Sequence, residues 1–152
     1  MKSTILKYGI WALIAGGILF LLSLIVDQDM DYGMRAALGY ASIVLSLLFI
    51  YFGIRHFRDQ ENDGMVSFGK ALGIGVIISV FAGLGIAIVD YIYTTSINPE
   101  FFEEYARALE EAGRGDEVFD IGSGLAAVFM FATVIVIGFI ISLISALILQ
   151  RK

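Results

Sequence analysis

Residues 71–89, ALGIGVIISVFAGLGIAIV, run for 19 positions without a charged side chain. A bilayer core of roughly 30 Å needs about 20 apolar residues in helical form, so this stretch has the length of a transmembrane helix. Residues 8–26, 36–54 and 121–150 form three further stretches without charge. Lipid leaves no water for unpaired backbone groups, and the alternation typical of barrel strands is absent. The sequence therefore predicts an all-α fold, an integral membrane four-helix bundle.

The composition agrees with a chain embedded in a membrane. Hydrophobic residues make up 59% of the 152 residues and charged residues 16%, which is more apolar surface than a small soluble domain carries. Cysteine is absent, which excludes disulfides, thiolate metal sites and cysteine nucleophiles. We predict a single membrane domain over residues 1–152, with transmembrane helices at about 8–26, 36–54, 71–93 and 125–147.

Basic residues near the helix ends predict the orientation in the membrane, because they favour the cytoplasmic side. One side carries Lys2, Lys7, Arg55, Arg58, Lys70, Arg151 and Lys152, and the other carries Arg35, Arg107 and Arg114. We expect both termini to be cytoplasmic in a multi-pass protein of the bacterial cytoplasmic (inner) membrane. Lys2 and Lys7 also resemble the start of a signal peptide, but no small-residue cleavage motif follows, so the first helix is expected to be retained.

The connection before the fourth span predicts a short amphipathic helix over about residues 99–112 on the extracytoplasmic side. Asn98 is a suitable cap, Pro99 suits the first position and Gly113 suits the end. Apolar residues recur at three- and four-residue spacing along it and form one face. That face either caps the bundle or lies on the membrane surface. The many carboxylates of this connection predict a solvated loop; Asp116, Glu117 and Asp120 are the alternative, a weak divalent-cation site.

A stripe of small residues marks one face of the third span. Its members recur at every fourth position and are Ala71, Gly75, Ser79, Gly83 and Ala87. Membrane helices associate through such stripes, because small side chains let two backbones approach closely. The stripe predicts helix packing within the monomer; packing against a second copy uses the same chemistry and is the alternative.

Asp90 is the acidic residue that comes closest to the membrane interior. It lies three residues after Ala87 and so near the packed face of the third helix. Ionisable groups inside a membrane are costly, which makes Asp90 a candidate ion or proton relay. The alternative is a carboxylate that reaches interfacial water beside Tyr91 and Tyr93. No proline breaks a span, although transport sites often contain such breaks.

The loop between the second and third spans has a recognisable order of residues. It runs GIRHFRD over residues 53–59 and GMVSFGKALGIG over residues 64–75. This pattern resembles a bacterial membrane-protein family catalogued as domain of unknown function 4199. The resemblance implies four membrane helices in a bacterial envelope and no established activity. It directs attention to a candidate cytoplasmic interaction loop, whose polar residues are Arg55, His56, Arg58, Asp59, Ser67 and Lys70.

Two functions fit these features. The first is a small structural, regulatory or partner-binding helix bundle, with the lipid bilayer and a second copy or another membrane protein as partners. The alternative is a small-solute or ion transporter or channel, possibly oligomeric, that uses Asp90. The sequence predicts no catalytic residues, no metal site, no cofactor and no nucleic-acid partner. A membrane enzyme is disfavoured because no spaced pair of catalytic groups faces one membrane boundary.

Overall fold

The structure, a computed structural model, describes residues 1–26, 29–118 and 122–152. Asp120 of the acidic connection and Ile121, where the fourth uncharged stretch begins, lie outside the described residues. Five helices follow one another in the described part: α1 (Lys2–Val26), α2 (Tyr32–His56), α3 (Phe68–Ile92), α4 (Phe101–Glu111) and α5 (Ser123–Leu149). Short π-helical turns at Phe57–Glu61 and Tyr93–Ile97 extend α2 and α3.

Four helices are long and apolar enough to cross a membrane: Lys2–Val26, Tyr32–Glu61, Phe68–Ile97 and Ser123–Leu149. Their outward sides carry large apolar residues, such as Val136 of α5, which is 61% exposed. Lipid matches such a surface, whereas water does not. The prediction of an all-α bundle is confirmed, and the chain is a multi-pass membrane protein.

The chain termini and the loop between α2 and α3 lie together at one end of the bundle, here called the termini end. Val66 of the loop and Arg151 after α5 exchange two backbone hydrogen bonds, of 2.9 Å and 2.8 Å. The opposite end, which carries α4, is the α4 end. The oxygen of Ser67 caps α3 by accepting from the amide of Lys70 at 3.4 Å.

Helix α3 packs against α5 through small residues that meet in reciprocal pairs. A Cβ placed on Gly75 would lie 2.5 Å from the Oγ of Ser142, and one placed on Gly138 would collide with Ser79. Only helices whose backbones approach closely produce such contacts. Gly83 meets Phe131 of α5 in the same way, while Ala87, the last member of the predicted stripe, is half-buried.

The other side of α3 packs against α1. Gly85 leaves no room for a side chain, because the carbonyl oxygen of Leu13 occupies that place. Gly9 of α1 faces the ring of Phe81, and Ala12 is fully buried. Helix α3 is therefore the packing centre of the bundle, with close neighbours on both sides.

Helix α4 differs from its predicted form at its first turn. Asn98 does not cap it: the Asn98 amide donates to the carbonyl of Tyr93 at 2.8 Å, and its side chain donates to Glu104 at 3.1 Å. The predicted cap at Asn98 is therefore wrong, because Asn98 closes the π-helical turn that extends α3. At the other end Gly113 has a φ of 74°, and the amide of Arg114 donates to the carbonyl of Leu109 at 2.8 Å. Gly113 ends the helix as predicted.

Candidate functional site

A cavity of about 740 Å³ lies at the α4 end of the bundle. Helices α1, α2, α3 and α5 contribute its walls, and α4 covers it. Aromatic rings dominate the lining and come from Phe20, Tyr32, Tyr40, Phe101, Phe102, Tyr105 and Phe129. The polar side chains of the lining are Ser23, Arg35, Asp90 and Thr133.

The cavity lies where small residues of the helices have no neighbouring side chain packed against them. Gly39 of α2 lies in the cavity wall, and a Cβ placed on it would have nothing within 4 Å. Ala36 and Ala126 also contribute short side chains to the wall. The same residue types that let α3 and α5 interlock elsewhere leave open space here.

The cavity has a lateral edge between α2 and α5. Tyr40 of α2 and Phe129 of α5 line the cavity and are 56% and 58% exposed. Both residues therefore contact the cavity and the outer surface of the bundle. This edge is where the cavity lining and the outer surface of the bundle share residues.

Asp90 lies in the wall of this cavity, near the end of α3. The residue is only 5% exposed, and its backbone carbonyl accepts a hydrogen bond from the hydroxyl of Thr94 at 2.9 Å. Within the described part of the chain, no hydrogen bond or ion pair reaches its carboxylate. Because the side chain lines the cavity, a partner for the carboxylate would have to lie within the cavity.

Helix α4 is fastened over the cavity by aromatic contacts. Phe101 lies edge-on to Tyr93 of the α3 extension, with ring centroids 5.7 Å apart, and stacks on Tyr105 at 6.0 Å. Tyr105 in turn contacts Tyr32 at the start of α2. Burial raises the pKa of the Tyr105 phenol, and the hydrogen bond with Tyr32 raises it further, so Tyr105 is neutral at physiological pH. Helix α4 therefore caps the bundle. Its sequence allowed either this placement or one on the membrane surface.

The segment after α4 adds a contact from a charged side chain to Tyr32. The guanidinium of Arg114 lies over the ring of Tyr32 at 4.7 Å and its Nε donates to Glu117 at 2.9 Å. That hydrogen bond lowers the pKa of the Glu117 carboxyl, which stays ionised near neutral pH. Tyr32 is thus held between α4 and the turn that follows it.

The predicted interaction loop lies at the termini end, far along α2 and α3 from Asp90. Arg58 is 9% exposed; its Nε donates to Asp59 at 2.6 Å and its Nη1 donates to the carbonyl of Leu149 at 3.4 Å. Glu61 at the end of the π-helical turn accepts a hydrogen bond from Thr4 of α1. These contacts connect the loop to the first and last helices.

The remaining loop residues have individual neighbours rather than a shared site. His56 packs against Tyr8 with ring centroids 5.5 Å apart, and the ammonium of Lys70 lies 5.7 Å from the ring centre of Phe57. Arg55 is exposed and approaches Asp59 at 3.7 Å. Across the described residues, no group of three or more His, Cys, Asp or Glu side chains is placed to hold a metal ion.

The family model described as Protein of unknown function (DUF4199) matches residues 7–151. The chain belongs to this family. No curated protein and no solved structure matches it. The family match covers α4 and all of the membrane-crossing helices except the first turn of α1, and every residue of the cavity lining lies within it.

Sequence reasoning found Asp90 in the DUF4199 chain but missed the residues around it. Tyr32, Tyr40 and Phe129 were not expected to line a site, because aromatic residues near membrane interfaces are ordinary anchors. The sequence feature that could have indicated them is the amphipathic helix predicted between the third and fourth spans. The apolar face of a helix in such a connection needs an apolar surface to pack against, and here it lies against the cavity.

Proposed function

We propose that this DUF4199 protein binds a small, largely apolar molecule in the cavity beneath α4. The observation that carries the proposal is the combination of an aromatic lining with one buried, unpartnered carboxylate, that of Asp90. Ligand sites in proteins are commonly concave and apolar with a few polar groups, and have volumes of about 300 to 1,000 Å³. The cavity, at about 740 Å³, lies within this range.

Packing in the other half of the bundle supports binding over conduction. A channel needs a continuous path, but α3 contacts α5 at Gly75 and Ser142 and contacts α1 at Gly85 and Leu13. The cavity therefore has a closed floor, and an occupant exchanges through the lateral edge between Tyr40 and Phe129. Transport of the same molecule would need α3 to separate from a neighbour.

We place the protein in the bacterial cytoplasmic membrane, with both termini cytoplasmic and α4 outside. The support is the excess of basic residues at the termini end, since Lys and Arg favour the cytoplasmic side. We propose binding without catalysis, because the polar groups of the cavity do not form a nucleophile and base pair. Assembly with a second copy remains compatible with this function.

A second candidate function is partner binding at the termini end. It is favoured by the exposure of Arg55 and Lys70, two basic residues in the helix turns on either side of the loop between α2 and α3. Crosslinking in native membranes tests it. We expect a reproducible neighbour for the wild type that the double variant Arg55→Ala, Lys70→Ala loses, and the absence of any neighbour would contradict this function.

Photolabelling with a neutral aryl diazirine alcohol tests the binding function. The wild type in lipid nanodiscs should give saturable adducts on cavity residues such as Met130 and Tyr105. Gly39→Leu should abolish them, because the added side chain grows into open cavity space. Gly73→Leu is the matched control: it also adds a leucine to a helical glycine with nothing within 4 Å, away from the cavity lining. Labelling that is unsaturable, or equal in the two variants, would overturn the proposal.

A further inference from the structure

We infer that the molecule bound in the cavity is an organic cation with apolar substituents, held by the Asp90 carboxylate and the surrounding aromatic rings. This inference rests on the proposed binding function and specifies the class of ligand. Nothing in the family description assigns a ligand.

Asp90 is the acidic residue of the cavity lining. Asp90 is 5% exposed as a residue, and its side chain lines the cavity, where no hydrogen bond or ion pair from the described residues reaches the carboxylate. An ionised carboxylate that leaves water without a partner is strongly disfavoured, and a buried pair is far better than a lone charge. A positively charged ligand would supply the missing partner from within the cavity.

Many of the side chains that line the cavity together with Asp90 are aromatic. Phenyl and phenol rings attract cations to their faces, and the attraction grows when the cation leaves water. Phe20, Tyr32, Phe101, Phe102 and Tyr105 line the cavity that Asp90 faces. An alkyl- or aryl-substituted ammonium buries its apolar groups against these rings while its charge lies near Asp90. Aromatic rings serve the recognition of quaternary ammonium groups in other proteins.

A metal cation fits this lining less well. Hard cations take six or more oxygen ligands and favour carboxylates, whereas this lining has one carboxylate, the aliphatic hydroxyls of Ser23 and Thr133, and three tyrosine hydroxyls. An anion is the other competitor, because Arg35 also lines the cavity. Arg35 is half-buried near the start of α2, and its Nε donates to the carbonyl of Met30 at 3.1 Å. The more deeply buried Asp90 has the stronger field, because solvent screens it less.

Two ions of matched shape and opposite charge test the sign of this preference. Tetraphenylphosphonium and tetraphenylborate are each added to the wild type in nanodiscs, and equilibrium dialysis measures saturable binding after subtraction of protein-free nanodiscs. We expect the phosphonium to bind and the borate to bind at least about tenfold more weakly, because a carboxylate in a poorly solvated site attracts a cation and repels an anion. This comparison needs no variant and so does not depend on how any variant folds.

Three variants assign the preference to Asp90. Asp90→Asn should weaken phosphonium binding by about tenfold or more, and Asp90→Glu should retain most of it, because a carboxylate remains. Asp116→Asn removes the same charge from an exposed site at the same end of the bundle and should bind like the wild type. Tighter binding of the borate, or phosphonium binding that Asp90→Asn leaves unchanged, overturns the inference.

The outcomes separate this inference from the binding function on which it rests. If both ions bind equally and Gly39→Leu abolishes both, the cavity binds ligands and the inferred preference for cations is wrong. If neither ion binds saturably, the inference is also overturned, and the neutral diazirine probe decides independently whether the cavity binds anything.

Discussion

Tyr105 of α4 contacts Tyr32 of α2, with ring centroids 5.7 Å apart and the hydroxyl of Tyr105 donating to that of Tyr32 at 3.5 Å. The two rings join the helix that covers the cavity to the helix that forms its wall. Because the hydrogen bond is long, the ring contact accounts for most of the attraction. The position of α4 over the cavity therefore depends on aromatic packing.

Replacement of Tyr105 tests this dependence. Tyr105→Ala removes an aromatic contact of about 1 kcal/mol, which corresponds to roughly fivefold faster amide exchange if α4 opens as a unit. Hydrogen exchange with mass spectrometry on the α4 peptides measures it. Tyr105→Phe keeps the rings and should exchange nearly as slowly as the wild type. Equal protection of α4 in the wild type and Tyr105→Ala would show that other contacts hold the helix.

Gly138→Ala should destabilise the bundle by forcing α5 away from α3. A Cβ at this position collides with Ser79, and such overpacking costs about 1 to 3 kcal/mol. The free energy of unfolding, measured in mixed micelles with a denaturing detergent, reports the loss. Gly124→Ala is the control within the same helix, because its Cβ meets nothing within 4 Å. Equal stability of the two variants would contradict the close contact between α3 and α5.

Arg58→Ala should lower the stability of the termini end more than Arg55→Ala does. Arg58 donates to Asp59 and to the carbonyl of Leu149, so its loss removes a connection between the loop and α5 worth about 1 kcal/mol. The side chain of Arg55 is 58% exposed, and exposed ion pairs contribute little. Thermal unfolding in nanodiscs compares the variants. A larger loss in Arg55→Ala would indicate that the loop is held differently.

Single-cysteine variants test the proposed orientation on a chain without native cysteine. In intact cells a membrane-impermeant maleimide should modify Asp116→Cys, which lies between α4 and α5. Lys70→Cys should react only after the membrane is opened, because the termini end is expected to face the cytoplasm. The reverse pattern would invert the assigned orientation while leaving the fold unchanged.

The helices and the packing centre could be predicted because they depend on local patterns. The uncharged runs determine which segments enter the bilayer, and the spacing of Gly75 and Ser79 places both on one face of α3. Their partner could not be predicted in the same way. Every span carries small residues, so only the tertiary crossing shows that Gly138 and Ser142 of α5 lie opposite this face.

The cavity and the burial of Arg58 could not be predicted from the sequence for a related reason. Gly39, Ser42 and Ser46 of α2 recur at three- and four-residue spacing, as small residues that pack tightly do, yet the structure leaves Gly39 in open space. Arg58 was expected to serve an interaction loop, yet it is 9% exposed and reaches a carbonyl 91 residues away. Helices that are distant in the sequence determine whether a small residue such as Gly39 packs against a neighbour. They also determine whether a charged side chain such as that of Arg58 is buried.

A diffraction experiment with a heavy-atom ligand tests the account most directly. Tetraphenylarsonium has the shape and charge of tetraphenylphosphonium, and its arsenic gives an anomalous signal that locates the ion in crystals grown from lipid. We predict one anomalous peak inside the cavity, between the Asp90 carboxylate and the rings of Phe101 and Tyr105. Peaks confined to the lipid-facing surface of the bundle, with the cavity empty at saturating ion, would contradict the account.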